Sequence, residues 1–464
     1  MHINYIEGMK KYFFLIFVTL FLNSNHSFSQ LNKLETNDFD IVTLSFAHSY
    51  ILPHAARCAQ NALNFHRKLF DYEPREKIYV MIQDFGDYGN GGATSLPNNL
   101  VSTCISPMNY AFESSVAGER VFAIMNHELV HITALDNFSN IDIFYRKLFA
   151  GKVRNTNDHP ISMFYSYLTN PRYYSPRWFH EGIAVFVETW MDGGTGNALG
   201  NYDEMFFRTR TLENSRIYSA QGLESEGTSA DFMSKANSYY YGTRFMSYVA
   251  YEFGPKNLIE WIKRKDGSKR GFASNFKNVF GLSIGKAWDN WIDFERSFQN
   301  QNIEGLKQSP ITEYEAITEK VLGGVSYPFH DKKRNKIYVA VNYPGKVPHL
   351  ASIDLGTGEI NRLKDVKGPA LFNVTSLAYD EKNDLLLYTT DNSANRDLNS
   401  YNLKTKESKL LQEDCHIGDL AFNKKDESLW GVRHLNGMNT VVKIPKYNSE
   451  SPNDYYQNWE QKYT

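Results

Sequence analysis

An α+β domain followed by an all-β domain built from repeats is the architecture the sequence predicts. Three observations lead there: two β-rich runs precede a long helical stretch, short alternating strands replace the helices past Pro310, and those strands recur at a fixed offset. The 464 residues, 42% of them hydrophobic, suffice for two or three domains with their own cores. With 50 basic against 52 acidic residues the formal charge is -2, so no overall field draws the chain to nucleic acid or anionic lipid. The aromatic content of 15% suits β-rich cores and stacking surfaces.

The first element is a targeting segment. From Met9, "MKKYFFLIFVTLFLNSNHSFSQ" carries a basic pair, an apolar run of about a dozen residues and a small-x-small end at Ser27, Phe28 and Ser29, which together read as a secretory signal over residues 1–29. The run is short for a membrane span, and no cysteine stands near the cleavage region to take a lipid. The expectation is a secreted, periplasmic or cell-surface protein with no stable membrane span once the signal is removed. Cys58, Cys104 and Cys415 are too few for a disulfide framework and read as free buried thiols.

Residues 30–305 form the first predicted domain. In "SFAHSYILPHAARCAQNALNFHRKLF" (45–70), apolar positions after Pro53 recur at three- and four-residue spacing, as a core-facing helix requires. "KIYVMIQDF" (77–85) and "NNLVSTCISP" (98–107) are strands of a mixed sheet separated by the loop "GDYGNGGATSLP". A helix follows, beginning near Ala117 or Gly118, and the pattern stays helical to about residue 298, through "RFMSYVAYEFG", "KNLIEWIKR" and "GKAWDNWIDF".

Residues 306–321 read as a linker, and 322–450 repeat. "SIDLGTGEINRL" (352–363) aligns with "SYNLKTKESKLL" (400–411), and Phe329, Tyr379 and Phe422 hold the same place in three strand-turn-strand units. A period of roughly 43 to 50 residues with about four short strands per unit predicts propeller blades. Only about three units fit, against the roughly four to eight blades of closed propellers, so either further sequence completes the ring or the array stays open. Residues 451–464 are a tail or the start of a further blade.

The chemistry lies in "IMNHELVHITAL" (124–135). On a helix, His127 and His131 at i and i+4 project from one face, close enough to bind one metal ion. Glu128 lies one position round, beside the metal, where its carboxylate can take a proton from a metal-bound water. A third ligand is needed. Asn137 occupies the position where metzincin spacing would put a histidine, which excludes that class. In "PRWFHEGIAVFVE" (176–188), Glu181 is the candidate, with Gly182 and Ala184 small enough to let this helix approach the metal-bearing one. His180 is the alternative ligand, facing away if Glu181 faces the metal. Glu188, two turns on, suits a partner for a ligand histidine, and Asp136 is a weaker candidate for the same task beside its reading as a helix-end or solvated residue.

H-E-x-x-H followed fifty residues later by W-x-x-E-G-x-A resembles the gluzincins, the thermolysin-like peptidases, and in particular the peptidase MA metallohydrolases, over residues 45–298. The resemblance implies a zincin-like metallopeptidase domain, one zinc per chain held by His127, His131 and Glu181, and Glu128 as general base. In secreted bacterial proteins such a domain is often followed by a TolB-like or WD40-like propeller, similar to the pattern of 322–450. Gluzincins commonly stabilise the oxyanion with a later tyrosine or histidine. "NSYYYGTRF" offers Tyr239, Tyr240 and Tyr241, of which the spacing to Gly242 and Phe245 favours Tyr239.

No G-x-M-E-N-like segment precedes the metal helix to bind a free amine, and Glu113 reads as a solvated loop residue. The expected activity is therefore endopeptidase cleavage of a peptide or protein substrate added to the strand at 98–107, with the propeller recognising substrate, protein or glycan. Two alternatives are a catalytically silent surface scaffold acting through the propeller, and a zinc hydrolase of a non-peptide amide or ester.

Overall fold

The computed structural model describes residues 31–87, 89–106, 119–191, 193, 201–224, 236–343, 345–366, 374–392, 395–445, 447 and 460–463. The predicted signal segment and Glu113 lie outside them. No helix among the described residues is long and apolar enough to cross a membrane.

β1 (Asn32–Glu35) and β2 (Phe39–Thr43) pair antiparallel, and β2 lies parallel to β3 (Ile78–Gln83). Parallel strands need a crossover, supplied by α1 (Leu52–Phe70). Its buried residues Ala55, Ala59, Ala62, Leu63 and His66 recur at three- and four-residue spacing. In β3, Ile78, Val80 and Ile82 are buried while Tyr79 is exposed, the alternation of a strand with one face on the core.

The predicted loop after β3 holds a strand, β4 (Gly91–Thr94), antiparallel to β5 (Leu100–Cys104), which itself runs parallel to β3. The sheet order is β1-β2-β3-β5-β4. Among the described residues β5 is therefore interior and β4 is the edge. Strand propensity misses β4 because glycine offers no side chain to pack; its backbone pairing with β5 makes it a strand.

Helices α2 (Arg120–Asp136), α3 (Asn140–Leu148), α4 (Ile161–Thr169), α5 (Arg177–Met191), α6 (Asn201–Leu212), α7 (Ala220–Glu224), α8 (Asn237–Phe253), α9 (Pro255–Ile262), α10 (Phe272–Phe280) and α11 (Ile284–Leu306) follow. Aromatic ring contacts concentrate in this helical layer, while the C-terminal sheets hold the pairs Tyr338–Tyr379 and Phe422–Tyr447. Trp178, Phe245, Trp288 and Trp291 form a buried cluster, with Phe245 and Trp288 ring centroids 4.7 Å apart and Trp178 and Trp288 4.8 Å apart. Arg244 anchors α8 to α11 through both oxygens of Glu295 at 2.7 and 3.2 Å.

The remaining strands form three antiparallel sheets. The first contains β6 (Gly324–Val325), β7 (Phe329–Asp331), β8 (Lys336–Asn342), β9 (His349–Asp354) and β10 (Ile360–Asp365). The second contains β11 (Val374–Asp380), β12 (Leu385–Asp391), β13 (Arg396–Asn402) and β14 (Ser408–Gln412). The third contains β15 (Ile417–Asn423), β16 (Ser428–Leu435), β17 (Met438–Ile444) and β18 (Glu460–Tyr463). Phe329, Tyr379 and Phe422 each fall on the strand entering a hairpin, as the repeat requires.

The propeller expectation, including its TolB-like or WD40-like form, is not met. Among the described residues each sheet is an open path, and none closes or joins a ring. One apolar cluster joins the first sheet to the second through Tyr338, Leu350, Leu377 and Leu386, and another joins the second to the third through Leu387, Leu398, Ile417 and Leu429. Among the described residues no cluster joins the third back to the first. Neighbour-to-neighbour burial is all that the repeat period encodes, and ring closure needs a contact between the two ends that a local pattern does not specify.

The third sheet turns toward the N-terminal region. Asn436 and Gly437 form a hairpin tip with φ of 53 and 75°. Tyr50 donates to the Asn436 carbonyl at 2.8 Å, and Arg120 to that of Gly437 at 3.1 Å. Nearby, Asp87 accepts from the Arg396 amide at 2.7 Å and pairs with His416 Nδ1 at 2.6 Å.

Candidate metal centre

Glu119 starts α2 by accepting from the Val121 and Phe122 amides at 3.1 and 2.7 Å. The helix is enclosed on most sides, with Met125, Leu129 and Ile132 in the core. At its far end Asp136 is buried and accepts from Tyr72, Asn99 and Lys152 and pairs with Arg146, all between 2.7 and 3.1 Å. Those contacts account for its carboxylate; it is a buried helix-end residue, and none of them is to a histidine.

His127 and His131, one turn apart, face α5. Their Nε2 atoms stand 3.2 Å apart, and Glu181 Oε2 lies 3.4 Å from each. A tetrahedral ion with bonds of about 2.0–2.1 Å sets edges of about 3.3–3.4 Å between its ligands, so the triangle has the size such an ion requires. Glu181 Oε2 is buried and accepts no hydrogen bond of ordinary geometry among the described residues. A buried carboxylate oxygen left in that state beside two imidazole nitrogens fits a cation. His127, His131 and Glu181 form a group able to hold a metal ion.

Glu188 completes the orientation of His127. Its Oε2 stands 3.0 Å from His127 Nδ1, and a carboxylate can only accept, so Nδ1 carries the proton and the Nε2 lone pair points into the triangle. Glu181 and Glu188 are seven residues apart, two turns of α5, which puts both on the face toward α2. His180 faces elsewhere, its Nε2 donating to the Ser175 carbonyl at 2.9 Å. Burial pushes its pKa down to about 4.

The electrostatics follow from the same contacts. Burial works against a charged His127, yet the Glu181 and Glu188 carboxylates hold its pKa well above the ordinary histidine value. Burial works against a charged Glu181 too, and the two histidines hold it well below the carboxylate range. Glu128, buried beside them, is raised by desolvation, with the histidines pulling the other way. Its Oε2 has no hydrogen-bond partner among the described residues.

Of the three tyrosines, Tyr239 is at the site. Its ring stacks near His127 with centroids 6.1 Å apart at 24°, and the Arg177 guanidinium lies 5.5 Å from its centroid. Tyr240 packs on Tyr202 and Phe206, and Tyr241 on Phe207 and Trp291, both deep in the helical core. Burial, with the Glu181 charge, pushes the Tyr239 hydroxyl well above its ordinary value.

The small residue after Glu181 serves a different contact from the one expected. Gly182 meets α8, not α2: a Cβ on it would stand 2.5 Å from the Gly242 carbonyl carbon. That crossing sets Tyr239, one turn before Gly242, beside Glu181. Two features escaped the sequence reading. Arg177 stands 3.5 Å from Glu181 Oε1, an i,i+4 pair that the helical spacing would have revealed. Gly91 on β4 lies against the general-base candidate, since a Cβ there would be 2.5 Å from Glu128 Oε1. The signal for it was the glycine pair inside a supposed loop.

No protein-family profile matches the chain, and no curated protein matches it either. Among solved structures, native yeast LTA4 hydrolase aligns at 10% identity and a TM-score of 0.30 over 58% of this chain and 38% of that one. An aminopeptidase N family protein from Idiomarina loihiensis aligns at 9% identity and a TM-score of 0.30 over 80% of this chain and 66% of that one. TolB from Acinetobacter baumannii aligns at 17% identity and a TM-score of 0.23 over 26% of this chain, which spans only 29% of the TolB chain. Likenesses this weak carry no argument about fold or function. The motif resemblance to gluzincins with a propeller is thus corrected: the open sheets overturn its second half, and no comparison extends its first half to family membership.

Proposed function

We propose that this chain is a zinc-dependent hydrolase of peptide bonds, with one ion held by His127, His131 and Glu181. The observation that carries the proposal is the triangle of 3.2, 3.4 and 3.4 Å edges formed by the three candidate ligand atoms. A zinc ion bound there supplies Lewis-acid polarisation of the scissile carbonyl and an acidified water.

The chain's own residues supply the rest. Glu188 keeps the His127 ring in the tautomer that offers Nε2. Glu128 is placed beside the triangle and off it, so its carboxylate is available to accept a proton at Oε1 or Oε2 and return it to the leaving amine. Tyr239, close to His127 and Glu181, is the side chain we assign to donate to the oxyanion.

The substrate's place follows from the sheet. β4 is the edge strand, and its Gly91 backbone passes Glu128 with no side chain between. A peptide in extended form that adds to β4 lies alongside the base, which favours an endopeptidase and moves the docking strand from 98–107 to 91–94. Work outside the cytoplasm is part of the same proposal, supported by the signal-like segment at 1–29.

The test is metal analysis of the purified protein together with a mixed peptide library. Zinc at one equivalent per triangle, with cleavage lost in Glu128→Gln, supports the proposal. A protein that holds zinc there and cleaves nothing is a binding scaffold. Cleavage of esters or non-peptide amides in place of peptides keeps the hydrolase and replaces the substrate class.

A further inference from the structure

A second group of side chains able to ligate a metal lies where α1 meets the start of α2. We propose that His54, Cys58 and Glu119 bind a second divalent cation of the zinc class, in a site that fastens α1 to the start of α2. His54 and Cys58 are at i and i+4 on α1, so both side chains project from one face, the spacing that also pairs His127 with His131. Glu119, immediately before α2, meets them from across the helix boundary.

The distances suit a small thiophilic ion. His54 Nε2 stands 3.0 Å from Glu119 Oε2, Cys58 Sγ is 3.6 Å from His54 Nε2, and Cys58 Sγ is 4.0 Å from Glu119 Oε2. Tetrahedral zinc, with bonds of about 2.3 Å to sulfur and about 2.0–2.1 Å to nitrogen and oxygen, sets edges of about 3.6 Å to the sulfur and about 3.4 Å between the other two. The three side chains reach those edges by shifts of a few tenths of an ångström, available to His54 and Glu119 because both are partly exposed. An imidazole, a thiolate and a carboxylate select zinc, cobalt or a similar borderline ion over magnesium or calcium, which take oxygen ligands.

The site differs from the first in its chemistry. The triangle at His127, His131 and Glu181 holds no sulfur, whereas this one does. Its position also has a consequence for α2, because the Glu119 carboxylate caps the helix that carries His127 and His131. A cation shared by α1 and Glu119 therefore holds the cap in place.

The test is cobalt(II) titration of the full-length protein after chelator treatment, read by absorption spectroscopy, bound-metal analysis and thermal unfolding. The expected result is about two ions per chain, a thiolate-to-cobalt charge-transfer band, and a rise in Tm on loading the second site. The band disappears in Cys58→Ser, with stoichiometry falling to about one, and is weakened in His54→Ala. It persists in Cys104→Ser and in His127→Ala. Absence of the band in the saturated wild type overturns the proposal, as does a band that follows Cys104 or Cys415. Because the band reports only the thiolate, its outcome is separate from whether the first site hydrolyses peptides.

Discussion

Gly182 and Gly242 meet backbone to backbone, and a Cβ on Gly242 would stand 2.1 Å from the Trp178 carbonyl oxygen. This crossing of α5 and α8 sets the distance between Glu181 and Tyr239. Gly242→Ala forces the helices apart, with an expected stability cost of about 1–3 kcal/mol or more. Denaturant unfolding checks it, and metal affinity should fall in parallel as Glu181 leaves the triangle. A Gly242→Ala protein with unchanged stability and metal affinity would mean that the crossing does not position the site.

Glu188 acts through His127. Glu188→Gln keeps the shape of the contact, removes the charge and adds an N–H donor, so the group facing Nδ1 no longer only accepts and metal affinity should fall about 10–100-fold. Competition with a chelator of known affinity measures it. Unchanged affinity would make the 3.0 Å contact incidental.

Glu128→Gln should leave metal content unchanged and lower kcat by about 10²–10⁴-fold, the usual contribution of a positioned proton-transfer group. Bound metal and peptide hydrolysis are measured on the same preparation. Loss of the metal along with activity would assign Glu128 to the ligand set.

Gly91→Ala probes the approach of β4 to Glu128, the proposed base. The added Cβ, at 2.5 Å from Glu128 Oε1, must displace the carboxylate, and a displacement of about 1 Å costs up to about 100-fold in rate. Metal content should stay at the wild-type level. Wild-type kcat in this variant would show that Glu128 tolerates relocation and is not the base.

His416 and Asp87 tie the third β-sheet to the N-terminal region. The bond to Asp87 holds the His416 pKa above the ordinary histidine value, against burial. A group raised in the folded state binds its proton more tightly folded than unfolded. Its contribution is therefore whole below the ordinary histidine value and is lost as pH rises through the raised one. Thermal unfolding across that window should show wild type more stable than Asp87→Asn at the acidic end, with the gap closing toward alkaline pH. A gap independent of pH would assign Asp87 to its bond with the Arg396 amide alone.

Much of the site was legible without coordinates because its information is local. The four-residue spacing of His127 and His131 fixes their shared face through helix periodicity, and Glu188 follows from Glu181 by two turns. The helix at 52–70 and the strands β3 and β5 follow from burial periods of 3.6 and 2, and the repeat at 322–450 from its own regularity. β4 was illegible because its glycines have no side-chain pattern, and its strand character comes from β5.

What the sequence by itself determined is the set of donors and the helices that carry them. What only the tertiary structure decided is their convergence: that Tyr239 and not Tyr240 or Tyr241 lies beside His127, that Gly182 is small for the sake of Gly242, and that the repeated sheets stay open. Periodicity ranks which side of an element is buried. It does not say which other element buries it, because that choice depends on surfaces brought together from positions far apart in the chain.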